Sequence, residues 1–445
     1  MKLKIRFSIV LIIISLIGAC LSDESSKEKR GSKEKREQWA RKNKEEIVIG
    51  VAWSLTHPLL KGVDLATKEI NNRGGVNIAD HEPPRTIRIE KIDSSITAKT
   101  SPLQQRISAR NIARKFASML EVVAVIGHRY SSIAIPASIT YQYNGIIFLA
   151  PSSTNLMLTS HDFDYVFRML PNNEEMAKQL AAYCKYYQRY QKMIVLNDRG
   201  DYGEELADSF INSAVEYGIK IKYRRTFFVQ RSDFANLIAD LKNRTSDVNA
   251  IFIATSANTG GQIIKQSRRM ELLGIDEKGE EIKMPFIGGD SLANAEELWK
   301  VAKNTAEGLV VPTVYNEELK IVQQFKKHFK EEYREFSDLE PDQSVALGYD
   351  AVKLLVYAMD KADSIVPIEV ATQLHYMSNG WKGVTGIHKY QQTGELDGKQ
   401  LYFMRLTEDC DTGKCKGKFK LIPEAHLPYL YIQQHPEFGK DKKNK

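Results

Sequence analysis

Residues 123–138 read VAVIGHRYSSIAIPAS, and residues 146–154 read IIFLAPSST. In each, an apolar run of strand length empties into hydroxyl side chains: Ser131 and Ser132 in the first, Ser152, Ser153 and Thr154 in the second. Short continuous apolar runs bounded by turn residues predict strands covered on both faces, as in a parallel sheet. Serine and threonine at the exit of such a strand are natural N-caps for the helix that follows. One junction of this kind is a cap. Two in adjacent strand–helix units suggest a shared pocket.

Working outward, the same alternation continues in both directions. Strand runs IVIGVAW (47–53) and IRIEKI (87–92) precede the quoted stretch, with helical patterns LLKGVDLATKEINN (59–72) and ISARNIARKFASML (107–120) between them. After Pro171 a second series begins, with strands KMIVLND (192–198), IKIKYRRTF (219–227), AIFIAT (250–255) and MPFIGGD (284–290), again separated by helical patterns. Two βα series of similar length predict an α/β protein of two Rossmann-like lobes with parallel central sheets. A chain of 445 residues is also long enough to need two cores. The remainder, including LKIVQQFKKHFKEEY (319–333) and SVALGYDAVKLLVYAMDKA (344–362), is mostly helical and should complete those lobes.

Composition is that of an ordinary globular protein, 42% hydrophobic and 27% charged, with a net charge of +7. Part of that excess sits in the tails SKEKRGSKEKREQWARKNK (26–44) and KDKKNK (440–445). No basic stripe interleaved with aromatics runs through the body, so nucleic acid is not an expected partner. Lys2, Lys4 and Arg6 precede the apolar stretch Phe7 to Ile17, which is too short to span a bilayer and is flanked as an export signal. It ends in Ile17-Gly18-Ala19-Cys20. This pattern resembles a bacterial lipoprotein signal, which implies a signal peptide over 1–19, a lipidated Cys20 and an extracytoplasmic body anchored to the cell membrane. Residues 20–46, rich in mixed charge and without apolar period, are then expected to be a flexible tether spanning roughly 25–30 Å. In an exported chain, Cys410 and Cys415 around Asp-Thr-Gly-Lys suit a small disulfide hairpin, and Cys184 on a helical pattern reads as a buried thiol.

The stretches IVIGVAWSLT, GVDLATKEINNRGGVN, VVAVIGHRYSSIAIPAS, FLAPSSTNLMLT, VFRMLPNNEEMAKQLAAY, LNDRGDYGEELADSF, FIGGDSLANAEEL and ALGYDAVKLLVYAM run collinearly over most of residues 47–390. Together they resemble the substrate-binding proteins of ABC transporters, the leucine/isoleucine/valine-binding family with the type I periplasmic-binding fold. That resemblance implies two lobes joined by a three-strand hinge with crossovers near 170, 311 and 385. Lobe 1 is expected at 47–170 plus 312–384, lobe 2 at 171–311 plus 385–438, and a basic tail at 439–445. It also implies a small amino-acid-like ligand, an amino acid, amide or related carboxylate, held between the lobes.

Helix N-termini at the carboxyl ends of parallel strands favour anions. By resemblance, Ser131 and Thr154 take the ligand's carboxylate, with Ser153 in the same turn, and the Ser152 carbonyl helps hold its ammonium. Each hydroxyl alone is equally an N-cap. Tyr202, opening a helix in DRGDYGEEL, corresponds to a residue that stacks on ligand, or is a surface tyrosine. Asp290, ending MPFIGGD, corresponds to the acidic partner of the ammonium, or caps a helix. The chain departs from the family pattern in two places: the loop WSLTHPLLKG (53–62) is several residues short, with Trp53 or His57 as candidate substitutes, and Ser256 falls where an aromatic is expected. The polar clamp is kept and the specificity wall is changed.

No HExxH, GxSxG, Walker or GxGxxG pattern occurs, and the nine histidines lack metal-ligand spacing. Neither catalysis, cofactor nor metal is expected. The resemblance implies a monomeric solute-binding lipoprotein that closes on its ligand and delivers it to ABC permease and ATPase subunits. A ligand-sensing receptor subunit that signals through a partner would carry the same cleft.

Overall fold

In the computed structural model all seven residues of the first strand, β1 (Ile47–Trp53), are buried. The reason lies in what covers its two faces. Ile47, Ile49, Val51 and Trp53 enter one apolar cluster with Leu59, Val63 and Leu354, while Val48 and Ala52 enter another with Ala113, Phe116 and Ala137. A strand with helices on both sides has no face left for polar residues. The structure describes residues 32–435 apart from 44, 79–80, 96–99, 229–231, 336–338 and 412–413. The expected signal peptide, Cys20, the stretch 20–31 and the basic tail lie outside the described residues.

β1 joins β2 (Ile87–Asp93), β3 (Val122–Gly127), β4 (Ile147–Ala150) and β5 (Val166–Arg168) in a parallel sheet of order β2-β1-β3-β4-β5. A second sheet holds β6 (Lys192–Asp198), β7 (Lys220–Phe227), β8 (Ala250–Ala254), β9 (Phe286–Gly288), β10 (Val310–Thr313), β11 (Tyr402–Asp411) and β12 (Lys414–Leu421), in the order β12-β11-β10-β9-β8-β6-β7. Its first five strands are parallel, and β11 and β12 add on antiparallel. The chain passes between the sheets three times: after β5, after β10, and before β11. The sequence reading expected a small disulfide hairpin at Cys410 and Cys415 but not the long strands β11 and β12 that carry it, because their alternating charged residues (RLTEDCD, KCKGKFKL) lack the apolar runs of the central strands. At the tip of that hairpin Cys410 and Cys415 form a disulfide, and Cys184 is a buried free thiol.

Helices cover the sheets in sequence order. α1 spans 32–42 and precedes α2 (Leu59–Asn72), α3 (Pro102–Ser118), α4 (Ser131–Tyr143), α5 (Asn173–Ala182) and α6 (Asp201–Glu216). α7 (Ala235–Lys242), α8 (Ala257–Arg269), α9 (Ala295–Ala302), α10 (Lys320–Glu332) and α11 (Gln343–Ala362) follow. Local signals start several of them. Ser101 and Gln104 form a capping box at α3, Asn172 caps α5 through Glu175 N–H at 2.8 Å, and Asp342 caps α11 through Val345 N–H at 3.0 Å. Among the described residues no helix is long and apolar enough to cross a membrane.

α1 corrects the expectation of a flexible tether through residue 46. Its Arg36 is wholly buried, and the guanidinium donates to Val122 O (2.9 Å), Asn144 O (2.6 Å), Ala117 O (2.9 Å) and Met119 O (2.9 Å). Three of those carbonyls, of Ala117, Met119 and Asn144, lie at the C-termini of α3 and α4, where helices leave acceptors unpaired and the dipole favours a cation, and the fourth opens β3. Burial lowers the Arg36 pKa to about 10, with Glu121 opposing, so the group stays charged at neutral pH. Ala40 is buried alongside it, and Ser32 donates to Asn144 Oδ1 at 2.9 Å. One arginine four residues before a buried alanine is a weak pattern, and composition alone hid it.

Arg36→Ala strands several buried carbonyls, so we expect a loss of about 2–3 kcal/mol in urea unfolding. Amides of 32–42 should lose hydrogen-exchange protection in the same variant. A second expectation concerns His128, which lies fully buried against Tyr141 and Phe148, with Nε2 3.1 Å from the Tyr141 hydroxyl. Burial lowers its pKa to about 3. The unfolded chain therefore binds the extra proton below pH 6.5, and stability falls as pH drops from there toward 3, by at most about 1.4 kcal/mol per pH unit for this group. Urea midpoints between pH 7 and 4.5 should decline less steeply in His128→Phe than in the wild type.

Candidate functional site

The carboxyl ends of β3 and β4 are hydrogen-bonded neighbours, Ile126 opposite Leu149, so the turns that leave them meet. Ser153 Oγ donates to Ser131 Oγ at 3.1 Å, and the Asn155 amide approaches the same oxygen at 3.4 Å. Ser131 therefore accepts twice and keeps its own hydroxyl proton to give. Thr154 is completely buried, and its Oγ1 finds no hydrogen-bond partner among the described residues. Neither residue is spent on capping. α4 begins at Ser131 itself, with Tyr130 at the cap position and no side-chain cap bond. Asn155, not Thr154, caps the short 3₁₀ turn Leu156–Leu158. Ser152 turns away, giving its hydroxyl to Arg129 O at 2.7 Å.

On the other sheet, Tyr202 sits in the first turn of α6 and donates to Asp290 Oδ1 at 2.7 Å. The Ser291 amide gives a longer bond, 3.3 Å, to the same phenol oxygen. Gly289 makes the pairing possible, since a Cβ there would lie 2.3 Å from Tyr202 Oη and 2.5 Å from Leu206 Cδ2. Asp290 forms no ion pair with a cation among the described residues. Burial raises its pKa to about 6, and the Tyr202 hydroxyl and local backbone amides oppose that rise without cancelling it. A carboxylate so desolvated is stabilised by any cation brought to it.

The two clusters are joined directly. Asn155 Nδ2 donates to Asp201 O at 3.1 Å, and the Leu156 amide donates to Glu205 Oε1 at 2.7 Å, so the hydroxyl turn touches the first turn of α6. Sequence reading missed Asn155 and Glu205, which carry these contacts, and Asp198, whose carboxylate accepts from Gly200 N–H (2.8 Å) and Thr255 Oγ1 (2.6 Å) to shape the loop before Tyr202. It also missed Arg168, whose one visible signal was an arginine ending an otherwise apolar strand.

The altered wall has a definite shape. Trp53 is buried with its indole N–H unpaired among the described residues, and the His57 ring meets it edge-on at 5.6 Å between centroids. His57 Nδ1 accepts from the Leu59 amide at 3.2 Å, so the shortened loop runs straight into α2. Burial, helped by the positive Arg129, lowers the His57 pKa to about 4 and keeps the ring neutral. Ser256 is exposed and caps α8 through the Thr259 amide. Cys410 and Cys415 sit in the β11–β12 hairpin, on the far edge of the second sheet, and take no part here.

Comparison with known proteins adds to this geometry. A family profile described as periplasmic binding protein matches residues 50–413. A Leu/Ile/Val-binding protein homolog 1 from Brucella suis is 28% identical over 371 residues, covering 80% of this chain and 90% of the relative. A solved ABC transporter substrate-binding protein from Desulfitobacterium hafniense, in complex with Leu, is 31% identical with a TM-score of 0.66, covering 85% of this chain and all of that one. A leucine-binding protein from Thermotoga maritima, 21% identical and with a TM-score of 0.69, shares the fold over 85% of this chain and 99% of its own.

Asp290 offers a direct test. Its folded pKa lies above the unfolded value near 3.9, so the ionised carboxylate weighs against the unliganded fold above pH 6. Asp290→Asn should therefore melt higher than the wild type at pH 7, with the gain shrinking as pH falls toward 4. Calorimetric scans at both pH values check this, and a lower melting temperature at pH 7 would contradict it.

Proposed function

The chain belongs to the periplasmic binding protein family, and on that premise we propose that it captures an amino acid between its lobes for an ABC importer. It is an extracytoplasmic substrate-binding protein of the ABC-transporter type, a binder rather than an enzyme. The observation that carries the ligand class is a pair of opposite demands. Ser131 and Thr154 present hydroxyl protons at the carboxyl ends of parallel strands, and neither serves as a cap. Across the contact with α6, Asp290 is a desolvated carboxylate among neutral neighbours. A ligand with a carboxylate at one end and an ammonium at the other answers both, and two isolated caps would answer neither.

Its mechanism is hinge closure. Lobe 1 (47–170 plus 312–384) and lobe 2 (171–311 plus 385–438) each hold half of the clamp, so only the closed form makes every contact. Lipidation at Cys20 holds the body at the membrane, and the working unit is a monomer. Branched-chain amino acids are the first candidates, because relatives are described as Leu/Ile/Val-binding and one is in complex with Leu. The indole N–H of Trp53, unpaired among the described residues, with Ser256 in place of an aromatic, favours a more polar side chain.

Losing a charge-assisted hydrogen bond costs about 1.5–3 kcal/mol, so Ser131→Ala or Thr154→Ala should each weaken binding roughly 10- to 150-fold. Folding stability should change little in Thr154→Ala, whose hydroxyl has no partner among the described residues, whereas Ser131→Ala also strands the Ser153 hydroxyl and the Asn155 amide and should lose about 1–3 kcal/mol. Calorimetric titration with L-leucine, followed by the other amino acids and by their amides and deaminated acids, reads this out. Asp290→Asn should weaken ligands that bear an ammonium and spare the deaminated acids. If both hydroxyl variants bind as the wild type does, the clamp has been placed wrongly. Separately, Cys20→Ser should leave the protein in the soluble fraction with binding intact.

A further inference from the structure

Arg168, the last residue of β5, is fully buried and spends its guanidinium on three different parts of the chain. Its Nη1 donates to Ser153 O at 3.1 Å, inside the hydroxyl turn. Nη2 donates to Asn155 O and to Thr159 Oγ1, each at 2.9 Å. Nε lies 2.9 Å from Glu395 Oε2, and Thr159 Oγ1 reaches the same carboxylate oxygen at 2.9 Å. Glu395 belongs to the third passage between the sheets, the segment after the hairpin 381–388 and before β11. The turn that carries it is pressed onto β5. The Arg168 amide donates to Gly394 O at 3.4 Å, and any Cβ at Gly394, where φ is +79°, would lie 1.9 Å from Val166 O. Further along, the passage is held on the second lobe: Gln179 of α5 donates to Lys399 O at 2.9 Å and accepts from the Leu401 amide at 2.8 Å.

The geometry points to Arg168 and Glu395 as a positioning pair that couples the ligand-binding turn to the hinge. The guanidinium fork holds two carbonyls and the Thr159 hydroxyl at once and pairs electrostatically with Glu395, a set of contacts that a lysine cannot reproduce. The positions of the Ser153–Thr154 turn and of the third crossover are therefore set by one buried group. Moving the crossover during closure pulls on the turn, and ordering the turn by ligand restrains the crossover. Glu205 closes the loop from the other lobe, since it accepts the Leu156 amide and its carboxylate feels the Arg168 charge. This proposal rests on reading that turn as the ligand's carboxylate site.

The decisive test needs no ligand. Glu395→Gln preserves shape and an acceptor for Thr159 while removing the charge that orients Arg168; Arg168→Lys keeps the charge and loses the fork. In the full-length protein, each should speed hydrogen exchange at the Asn155 and Leu156 amides by on the order of tenfold, with β6 unchanged. A merely structural pair would either leave those amides protected or loosen β6 equally, and both results overturn the coupling. The second readout is a double-mutant cycle by calorimetry with L-leucine. The effect of Thr154→Ala should shrink in the Glu395→Gln background, whereas additive effects would count against the pair. If the wild type fails to bind L-leucine or any other amino acid, the ligand reading fails, and the exchange result still decides the coupling.

Discussion

A parallel sheet sends every strand's carboxyl end to the same edge, and strands lie about 4.8 Å apart across it. Ala52 stands opposite Gly127 and Ile126 opposite Leu149, so the exits of β1, β3 and β4 are immediate neighbours. Ser131 and Ser153 are 22 residues apart in sequence, yet their hydroxyls meet at 3.1 Å because of that constraint. The same edge on the second sheet brings Tyr202, after β6, to Asp290, after β9, with β8 between those strands. Each sheet thus gathers one polar cluster at the carboxyl ends of its strands.

Holding them costs stability. Thr154 Oγ1 is buried without a partner among the described residues, and the Asp290 carboxylate is desolvated beside a neutral phenol. Thr154 departs from the rule that buried polar groups are satisfied, and Asp290, half-buried, has its Tyr202 hydrogen bond but no cation beside it among the described residues. Both clusters tolerate this because their surroundings are over-determined. Asp198 braces the loop before α6, and Arg168 braces the hydroxyl turn with three hydrogen bonds and an ion pair.

A different economy governs α1. Two helices that end together leave several carbonyls without amide partners, and a single buried guanidinium satisfies both ends at once. Charged composition made 20–46 look like a solvated tether, because unpaired lysine, glutamate and arginine rarely bury. Arg36 buries because acceptors from α3, α4 and β3 converge on it, and that convergence exists only once lobe 1 has folded. Beyond its disulfide tip, the extent of the β11–β12 hairpin was hidden for a related reason: an antiparallel pair at the edge of a sheet keeps a wet face and does not advertise itself as an apolar run.

What the sequence by itself determined was everything that depends on local pattern. Uniformly apolar strands between amphipathic helices specify a covered parallel sheet, two such series specify two lobes, and hydroxyls after β3 and β4 mark a candidate anion notch. These follow from periods of two and 3.6 residues and from turn chemistry, which neighbours in sequence decide. Tertiary structure decided what required distant groups to converge. Only the fold could show that Ser131 and Thr154 are not caps, since that depends on whether an amide elsewhere takes their oxygens. Only the fold could bring Arg168 to Glu395, 227 residues apart by their numbers, and make one buried charge serve both the turn and the crossover. Long-range electrostatics leaves no periodic trace in a chain, because its partners are set by packing and not by spacing.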